Sequence, residues 1–497
     1  MTQGQLPVTK DLARRAGGAL MWRGLAEGAE KIIFLARLFI LARLLAPEDF
    51  GLLAVGMVAL TLTLRLTDFG VVASLIQAPE TDKRHLDTAW TINVLRGVGI
   101  AAILVVAAPW IADAFAEPRA TDIIRALALT ALIQAAASIQ VAKLNREFRF
   151  RGLAAIRLSG AIVNTAVAIA LAPSLGVWAM VWGAIAGEFA FMVVSYLVAP
   201  YRPRFSFSDK SAKGIARFGR WIFLIGIISV ATDSMMRWII GNRLGVAELG
   251  LYFMAWRLAY MPLEMISGLV NEVAFPVYAQ LQSDREKAAA AFRGLLVSVA
   301  AILVPICVVF AWLVPELVQH VLGDGWQGTV GVMRLLILTS ILMLLSESLG
   351  PVLKGLGRPA GIATMETLHL LIIGGLGWVL VGTLGLLGAG VVWIIAVLAA
   401  QVMAAWYAYE IFSRPFYGIA RPLLAIAAAT VLSTSVAAVI VGLFPGIVGL
   451  AVAILLSAAT AGTAILFLDR RFGLGILRPF LGPFPALRRL VGAPGDD

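Results

Sequence analysis

Three observations predict an all-α polytopic membrane protein of about 14 transmembrane helices, built as two parallel-repeat six-helix lobes plus two C-terminal helices. The 497 residues are 60% hydrophobic and only 14% charged, whereas an average soluble domain carries roughly 25% charged residues. Long apolar segments recur along the chain with short loops between them. The second half also repeats features of the first at a near-constant offset. With a mean hydropathy of +0.91, the composition excludes a soluble enzyme, a disordered regulator and a fibrous protein.

A helix crosses the bilayer with about twenty predominantly apolar residues. That window selects 16–42, 50–76, 88–112, 121–142, 154–173 and 176–199, then, after a basic stretch, 218–241, 248–271, 290–314 and 329–352. The last four are 361–382, 386–409, 420–443 and 446–468. Span 1 carries Arg23, Glu27, Glu30, Lys31 and Arg37, so it lacks the uncharged core of a cleavable signal peptide and is expected to be retained. An amphipathic helix lying on the membrane is the alternative. It removes one crossing and puts the basic N-terminus outside. The expected organisation is a cytoplasmic N-terminal tail (1–15), a first lobe (16–199), a cytoplasmic linker (200–217) and a second lobe (218–411). Spans 13 and 14 (412–468) and a cytoplasmic C-terminal tail (469–497) complete it.

Charge fixes the orientation. Of 40 Lys and Arg, 28 fall in inner loops, tails and inner span ends (Arg157 and Arg220 among them) when both termini are cytoplasmic, and only Arg43, Arg119 and Arg243 fall outside. That asymmetry is the positive-inside pattern. The net charge of +11 therefore reports membrane orientation, and no nucleic-acid partner is expected.

The repeat is visible in ordered matches. Leu45-Ala46-Pro47-Glu48-Asp49-Phe50-Gly51-Leu52 aligns with Leu244-Gly245-Val246-Ala247-Glu248-Leu249-Gly250-Leu251 at an offset of 199, which Trp22 and Trp221 share. Arg125-Ala126-Leu127-Ala128-Leu129-Thr130 aligns with Arg334-Leu335-Leu336-Ile337-Leu338-Thr339 at 209, as does Leu175-Gly176 with Leu384-Gly385. Six spans per repeat leave both halves with the same orientation, a parallel repeat about an axis along the membrane normal.

Nine cations (Arg23, Lys31, Arg37, Arg65, Arg96, Arg125, Arg237, Arg257, Arg334) and eight acids (Glu27, Glu30, Asp68, Glu188, Asp233, Glu264, Glu347, Glu366) lie within spans, at least four residues from either end. At the bilayer centre each costs roughly 2.5–3.5 kcal/mol, or on the order of 40 kcal/mol if all faced lipid. They must pair, or face water or the bundle interior. Arg23–Glu27, Glu27–Lys31 and Asp233–Arg237 are spaced i,i+4 and Arg65–Asp68 i,i+3. Arg23, Glu27, Glu30, Phe34 and Arg37 share one face of span 1, as expected of a helix lining a hydrophilic cavity. The cavity-lining candidates are Arg23, Glu27, Glu30, Lys31, Arg37, Arg65, Asp68, Arg96, Asp233, Arg237, Arg257 and Glu264. Structural salt bridges are the competing account of them. Arginine suits a phosphate ligand because its planar fork binds bidentately and keeps its charge. Glu366 and His369, spaced i,i+3 in span 11, form either an ion-coupling pair or a polar helix contact. Pro262, Pro305 and Pro351 interrupt spans 8, 9 and 10, and Gly183 and Gly187 form a close-packing GxxxG in span 6.

The single cysteine, Cys307, and three histidines (His85, His320, His369) leave no zinc or iron–sulfur framework, and no nucleotide-binding or serine-hydrolase motif is present. No cofactor, metal or catalytic residue is expected, and the chain reads as a non-enzyme.

Further motifs carry a family resemblance. Leu41-Ala42-Arg43-Leu44-Leu45-Ala46-Pro47-Glu48-Asp49-Phe50-Gly51-Leu52, Thr67-Asp68-Phe69-Gly70 with Leu75-Ile76-Gln77, and Asn145-Arg146-Glu147-Phe148-Arg149-Phe150 occur in order. They are followed by Gly176-Val177-Trp178-Ala179, Phe275-Pro276 with Gln280-Leu281-Gln282, Leu322-Gly323-Asp324-Gly325-Trp326 and Gly355-Leu356-Gly357-Arg358-Pro359. In order and spacing these resemble the polysaccharide and oligosaccharide flippases of the MOP superfamily (multidrug, oligosaccharidyl-lipid and polysaccharide exporters), in the Wzx-like branch of colanic-acid-type exporters. The resemblance implies two six-helix lobes. It also implies ion-driven, alternating-access translocation of an undecaprenyl-diphosphate-linked oligosaccharide across the bacterial inner membrane, for exopolysaccharide, capsule or O-antigen. Its implied partners are membrane lipids, the lipid-linked substrate and a polysaccharide polymerase or chain-length regulator. Two other readings stand beside it. A multidrug-type cation antiporter of the same superfamily needs an acidic cavity. A membrane glycosyltransferase or polymerase needs a catalytic outer loop larger than Pro315–Gly328.

Overall fold

The computed structural model describes residues 10–67, 83–147, 149–206, 209–281, 284–356, 358, 360–474 and 476. Asp68 lies outside them, and the side chain of Arg23 is likewise not described. Nearly every described residue is helical. The first compact unit spans Met1–Ala247 and the second Glu248–Asp497.

The first unit contains α1 (Lys10–Leu44), α2 (Pro47–Leu66), α3 (Lys83–Ala114), α4 (Ala120–Ala135), the short α5 (Val141–Arg146), α6 (Phe150–Leu175), α7 (Val177–Val198) and α8 (Asp209–Leu244). The second contains α9 (Val246–Ala259, its first two residues apart), α10 (Met261–Gln280), α11 (Arg285–Leu317), α12 (Thr329–Leu342), α13 (Leu344–Gly355), α14 (Ala360–Leu384), α15 (Leu386–Ile411), α16 (Ala420–Leu443) and α17 (Ile447–Phe472). The expected segments overlap helices of this list, with spans 4, 8 and 10 each divided between two, and residues 68–76 of span 2 lie outside the described residues. Among the described residues, nine helices are long and apolar enough to cross a membrane, or ten if the bent pair α12–α13 is one span. The chain is thus a multi-pass membrane protein. Spans 1, 4, 7 and 8 fall outside that count. α1 and α8 carry several charges, α4 is only 16 residues long, and span 8 is divided into α9 and α10.

The repeat extends to the backbone. α12 starts at Thr329 and α4 at Ala120, and α15 starts at Leu386 and α7 at Val177, both 209 residues apart. Gly176 (φ 54°, ψ −130°) and Gly385 (φ 59°, ψ −142°) turn the chain between consecutive antiparallel helices in the same conformation. Such φ values are open to glycine and costly for other residues. Both halves also break the corresponding span. Span 4 stops at Ala135 and resumes at Val141, while span 10 bends by 42° between Leu342 and Leu344. Within the first unit α8 packs against α2 and α3.

Two local sequence features organise the first unit. The N–H of Ala46 donates to Asp49 Oδ2 (3.1 Å), and the N–H of Val177, at the start of α7, donates to Asp49 Oδ1 (3.1 Å). Glu48 and Glu117 share Arg119 at 2.6 Å each. The Pro-Glu-Asp turn between α1 and α2 is therefore stapled to the α3–α4 and α6–α7 corners. The Arg119 hydrogen bond holds the Glu117 carboxyl below its ordinary value. The GxxxG of α7 packs onto α6 as expected. A Cβ on Gly183 would stand 2.8 Å from Ala168 Cβ, and one on Gly187 would stand 2.9 Å from the Gly160 carbonyl oxygen. Without a side chain at either glycine the helix backbones can approach closely.

The prolines behave differently from one another. Pro262 stands at the start of α10, where span 8 is interrupted at Tyr260. Pro305 lies inside the continuous α11. Pro351 lies inside α13, eight residues beyond Met343, so the bend of span 10 is not at its proline. In the second unit α16 and α17 pack on α11. Ile476 is 1% exposed and seals this junction: its N–H donates to Asp469 Oδ1 (2.9 Å) and its carbonyl accepts from Ser298 Oγ.

Candidate functional site

The glycine-mediated approach of α6 and α7 shapes a cavity in the first unit. About 360 Å³ of space is walled by Glu30, Phe34 and Arg37 of α1, Gln134 of α4, Arg157, Gly160 and Asn164 of α6, and Gly187 and Glu188 of α7. It adjoins a second space of about 310 Å³ through the shared residues Gln134, Arg157 and Phe191. That second space is walled by Asn93, Arg96 and the break between α4 and α5, from Ala135 to Ala142. The combined lining holds three arginines and two glutamates, a formal charge of +1.

Within it, Arg157 Nη1 stands 4.0 Å from Glu30 Oε2, a long pairing that leaves the guanidinium fork largely uncommitted. Arg37 lies over the Phe34 ring at 5.5 Å. Arg96 donates from Nη2 to the Leu64 carbonyl (2.7 Å) and from Nε to Thr67 Oγ1 (3.2 Å), which ties the end of α2 to α3. The backbone groups released at the break are satisfied by neighbours. Asn93 Nδ2 donates to the Ala135 carbonyl (3.1 Å), Tyr196 OH to the Ala136 carbonyl (2.8 Å), and the Ser138 N–H donates to Ser195 Oγ (3.0 Å). A cavity lined by arginine forks is chemically suited to an anion, because a guanidinium binds an oxyanion with two parallel hydrogen bonds and keeps its charge.

Of the sequence-predicted residues, the structure brings Glu30, Arg37 and Arg96 together here. Glu27 is exposed on α1, Lys31 is half-buried, and Arg65 is exposed in the last turn of α2; none of the three lines the cavity. Asp233 and Arg237 pair on α8 at 3.8 Å. Arg257 on α9 and Glu264 on α10 belong to the second unit and are exposed. The sequence reading missed Arg157, which sits about two turns inside α6 and counts there among the inner cations. It also missed the cavity role of Glu188, whose signal was a charge in mid-span with no cation three or four residues away.

The second unit gathers a different polar cluster. Tyr260 OH and Thr339 Oγ1 bond at 2.9 Å, Ser340 Oγ donates to the Ala259 carbonyl (3.3 Å), and Ser267 Oγ donates to Glu347 Oε2 (2.6 Å). Gln401 of α15 accepts from the Ser346 N–H (3.2 Å), capping the first turn of α13 after the bend. Aromatic rings pack around it. Trp256 stacks on Tyr260 with centroids 3.9 Å apart, and Trp393 Nε1 donates to Tyr252 OH (2.9 Å). Glu366 Oε2 and His369 Nδ1 are 3.9 Å apart, and the buried Nε2 of His369 has no hydrogen-bond partner among the described residues. No group of three or more metal-binding side chains occurs among the described residues.

Residues 40–331 match the family model described as polysaccharide biosynthesis protein. The chain is 26% identical over 330 residues to the lipopolysaccharide biosynthesis protein WzxC of Escherichia coli (strain K12), an alignment covering 65% of this chain and 66% of that protein. It is 25% identical over 394 residues to the succinoglycan biosynthesis transport protein ExoT of Rhizobium meliloti (strain 1021), covering 78% and 79%. Among solved structures, the lipid II flippase MurJ in an inward closed conformation superposes with a TM-score of 0.74 at 12% identity, covering 93% of this chain and all of that one. That likeness is one of fold. The chain belongs to the polysaccharide biosynthesis protein family.

Proposed function

We propose that this protein is a flippase that carries a lipid-linked oligosaccharide, joined to its polyprenyl carrier by a diphosphate, from the inner to the outer leaflet of the bacterial inner membrane for surface polysaccharide synthesis. The observation that carries this reading is the arginine-lined cavity of the first unit, centred on Arg37 and Arg157. Taken with the adjoining space that adds Arg96, its lining carries +1, which suits a diphosphate and disfavours the organic cations of a multidrug antiporter. The names of WzxC and ExoT, from lipopolysaccharide and succinoglycan synthesis, support a glycan cargo. The charge bias of the loops supports fourteen spans in two lobes and cytoplasmic termini. Glu366 and His369 are the second unit's candidates for ion coupling, and a polymerase or chain-length regulator is the expected functional partner.

The test is the double variant R37A/R157A in a strain lacking the chromosomal copy. Loss of surface polysaccharide at normal protein accumulation is expected. Wild-type polysaccharide output would overturn the cavity assignment.

A further inference from the structure

Seven of the eight span acids lie among the described residues, and six of them have partners. Glu30 stands near Arg157, Asp233 near Arg237, Glu347 accepts from Ser267, Glu366 faces His369, and Glu27 and Glu264 also interact. Glu188 makes no hydrogen bond or ion pair among the described residues. It sits eleven residues from the start of α7, at about the bilayer midplane by helical rise, and it lines the cavity. A carboxylate there is costly unless something neutralises it. The groups facing it across the cavity are Glu30 and Arg37 of α1, Gln134 of α4 and Arg157 of α6. On α2, Asp49 sits at the far outer end of α7.

Resting on the proposed function, we infer that Glu188 is the proton partner of the cargo: the anionic head group enters this cavity together with a proton that Glu188 accepts. The cavity carries +1 with every lining group ionised. A diphosphate diester brings two negative charges, leaving one in excess inside a lipid-embedded lobe. Phosphate that takes Arg157 also displaces Glu30 from its long pairing. A proton on the carboxyl of Glu188 restores neutrality, and no covalent bond is made or broken. Release of the head group then frees the proton, so the site is neutral only while it holds both.

Binding of undecaprenyl-diphosphate-N-acetylglucosamine to the purified full-length protein tests this, by calorimetry in buffers of different ionisation enthalpy. The diester does not itself titrate near neutrality, so protons taken up belong to the protein. Wild type is expected to take up about one proton per bound lipid, its affinity falling about tenfold per pH unit above neutrality. The E188Q variant is expected to bind with no uptake and a flat pH profile, and E188D to retain the uptake. Proton uptake unchanged in E188Q, or wild-type binding with no uptake, overturns the inference alone. No binding by the wild-type protein overturns the flippase reading, and the inference with it.

Discussion

The two halves interrupt the same helix and finish the interruption differently. In the first unit the gap from Ala135 to Val141 is capped by Ser195, Tyr196 and Asn93, and open space with arginines remains beside it. In the second the bend at Met343 is capped by Gln401, and Tyr260, Trp256 and Trp393 pack nearby. One scaffold thus supplies a pair of interrupted helices, and side-chain volume decides whether the neighbourhood holds a ligand or a packed aromatic cluster. On the proposed function, recognition falls to the cavity side and rigidity to the aromatic side.

The strongest way to break that contrast is to exchange the phenotypes. Arg37→Ala with Arg157→Ala should abolish surface polysaccharide while protein levels hold. Gln401→Ala should lower thermal stability by about 1–2 kcal/mol through the unsatisfied Ser346 N–H, with export per molecule retained. Abolished export in a stable Gln401→Ala protein would give both halves the same role. Next comes the outer staple. Asp49→Ala removes an acceptor shared by two backbone N–H groups and should cost about 1–3 kcal/mol, read as a fall in melting temperature in detergent.

The matched glycines sharpen the comparison further. Gly176→Ala and Gly385→Ala each force a side chain into a positive-φ turn, at roughly 1–2 kcal/mol. At Gly176 the new Cβ would also meet Asp49 Oδ1 at 3.3 Å, whereas nothing lies within 4 Å at Gly385. The first variant should therefore melt lower than the second, and equal melting temperatures would remove Asp49 from the account. The smallest effect is acid sensitivity. Glu117 is held below its ordinary value of 4.5, chiefly by the hydrogen bond from Arg119. A depressed carboxyl stabilises the fold above its unfolded value, and that contribution fades as pH falls through the folded one. Melting temperature should drop on acidification below about pH 4.5 in the wild type, and less steeply in Glu117→Gln.

Helices and repeat were legible in the sequence because bilayer thickness and hydropathy dictate them locally. The break of span 10 was not. No proline or glycine occupies Met343, and the bend depends on a cap from Gln401, 58 residues on. The proline that did stand in span 10, Pro351, misled for the same reason. In the cavity, Arg37 and Glu30 were legible from the stripe on α1. Arg157 was not, because an arginine near an inner helix end also fits the positive-inside pattern. Only the approach of α6 to α1 separates the two accounts.

The paired turns at Gly176 and Gly385 also hold a record of descent. A turn that requires glycine, and a helix break that requires a neighbour's cap, are unlike the hydrophobic periodicity that any membrane helix acquires. The glycines stand at the same register in each half, 209 residues apart, and the corresponding span is broken in both, as a shared repeat unit requires. The cavity arginines of one half and the Trp256–Trp393 cluster of the other are differences laid over that shared backbone.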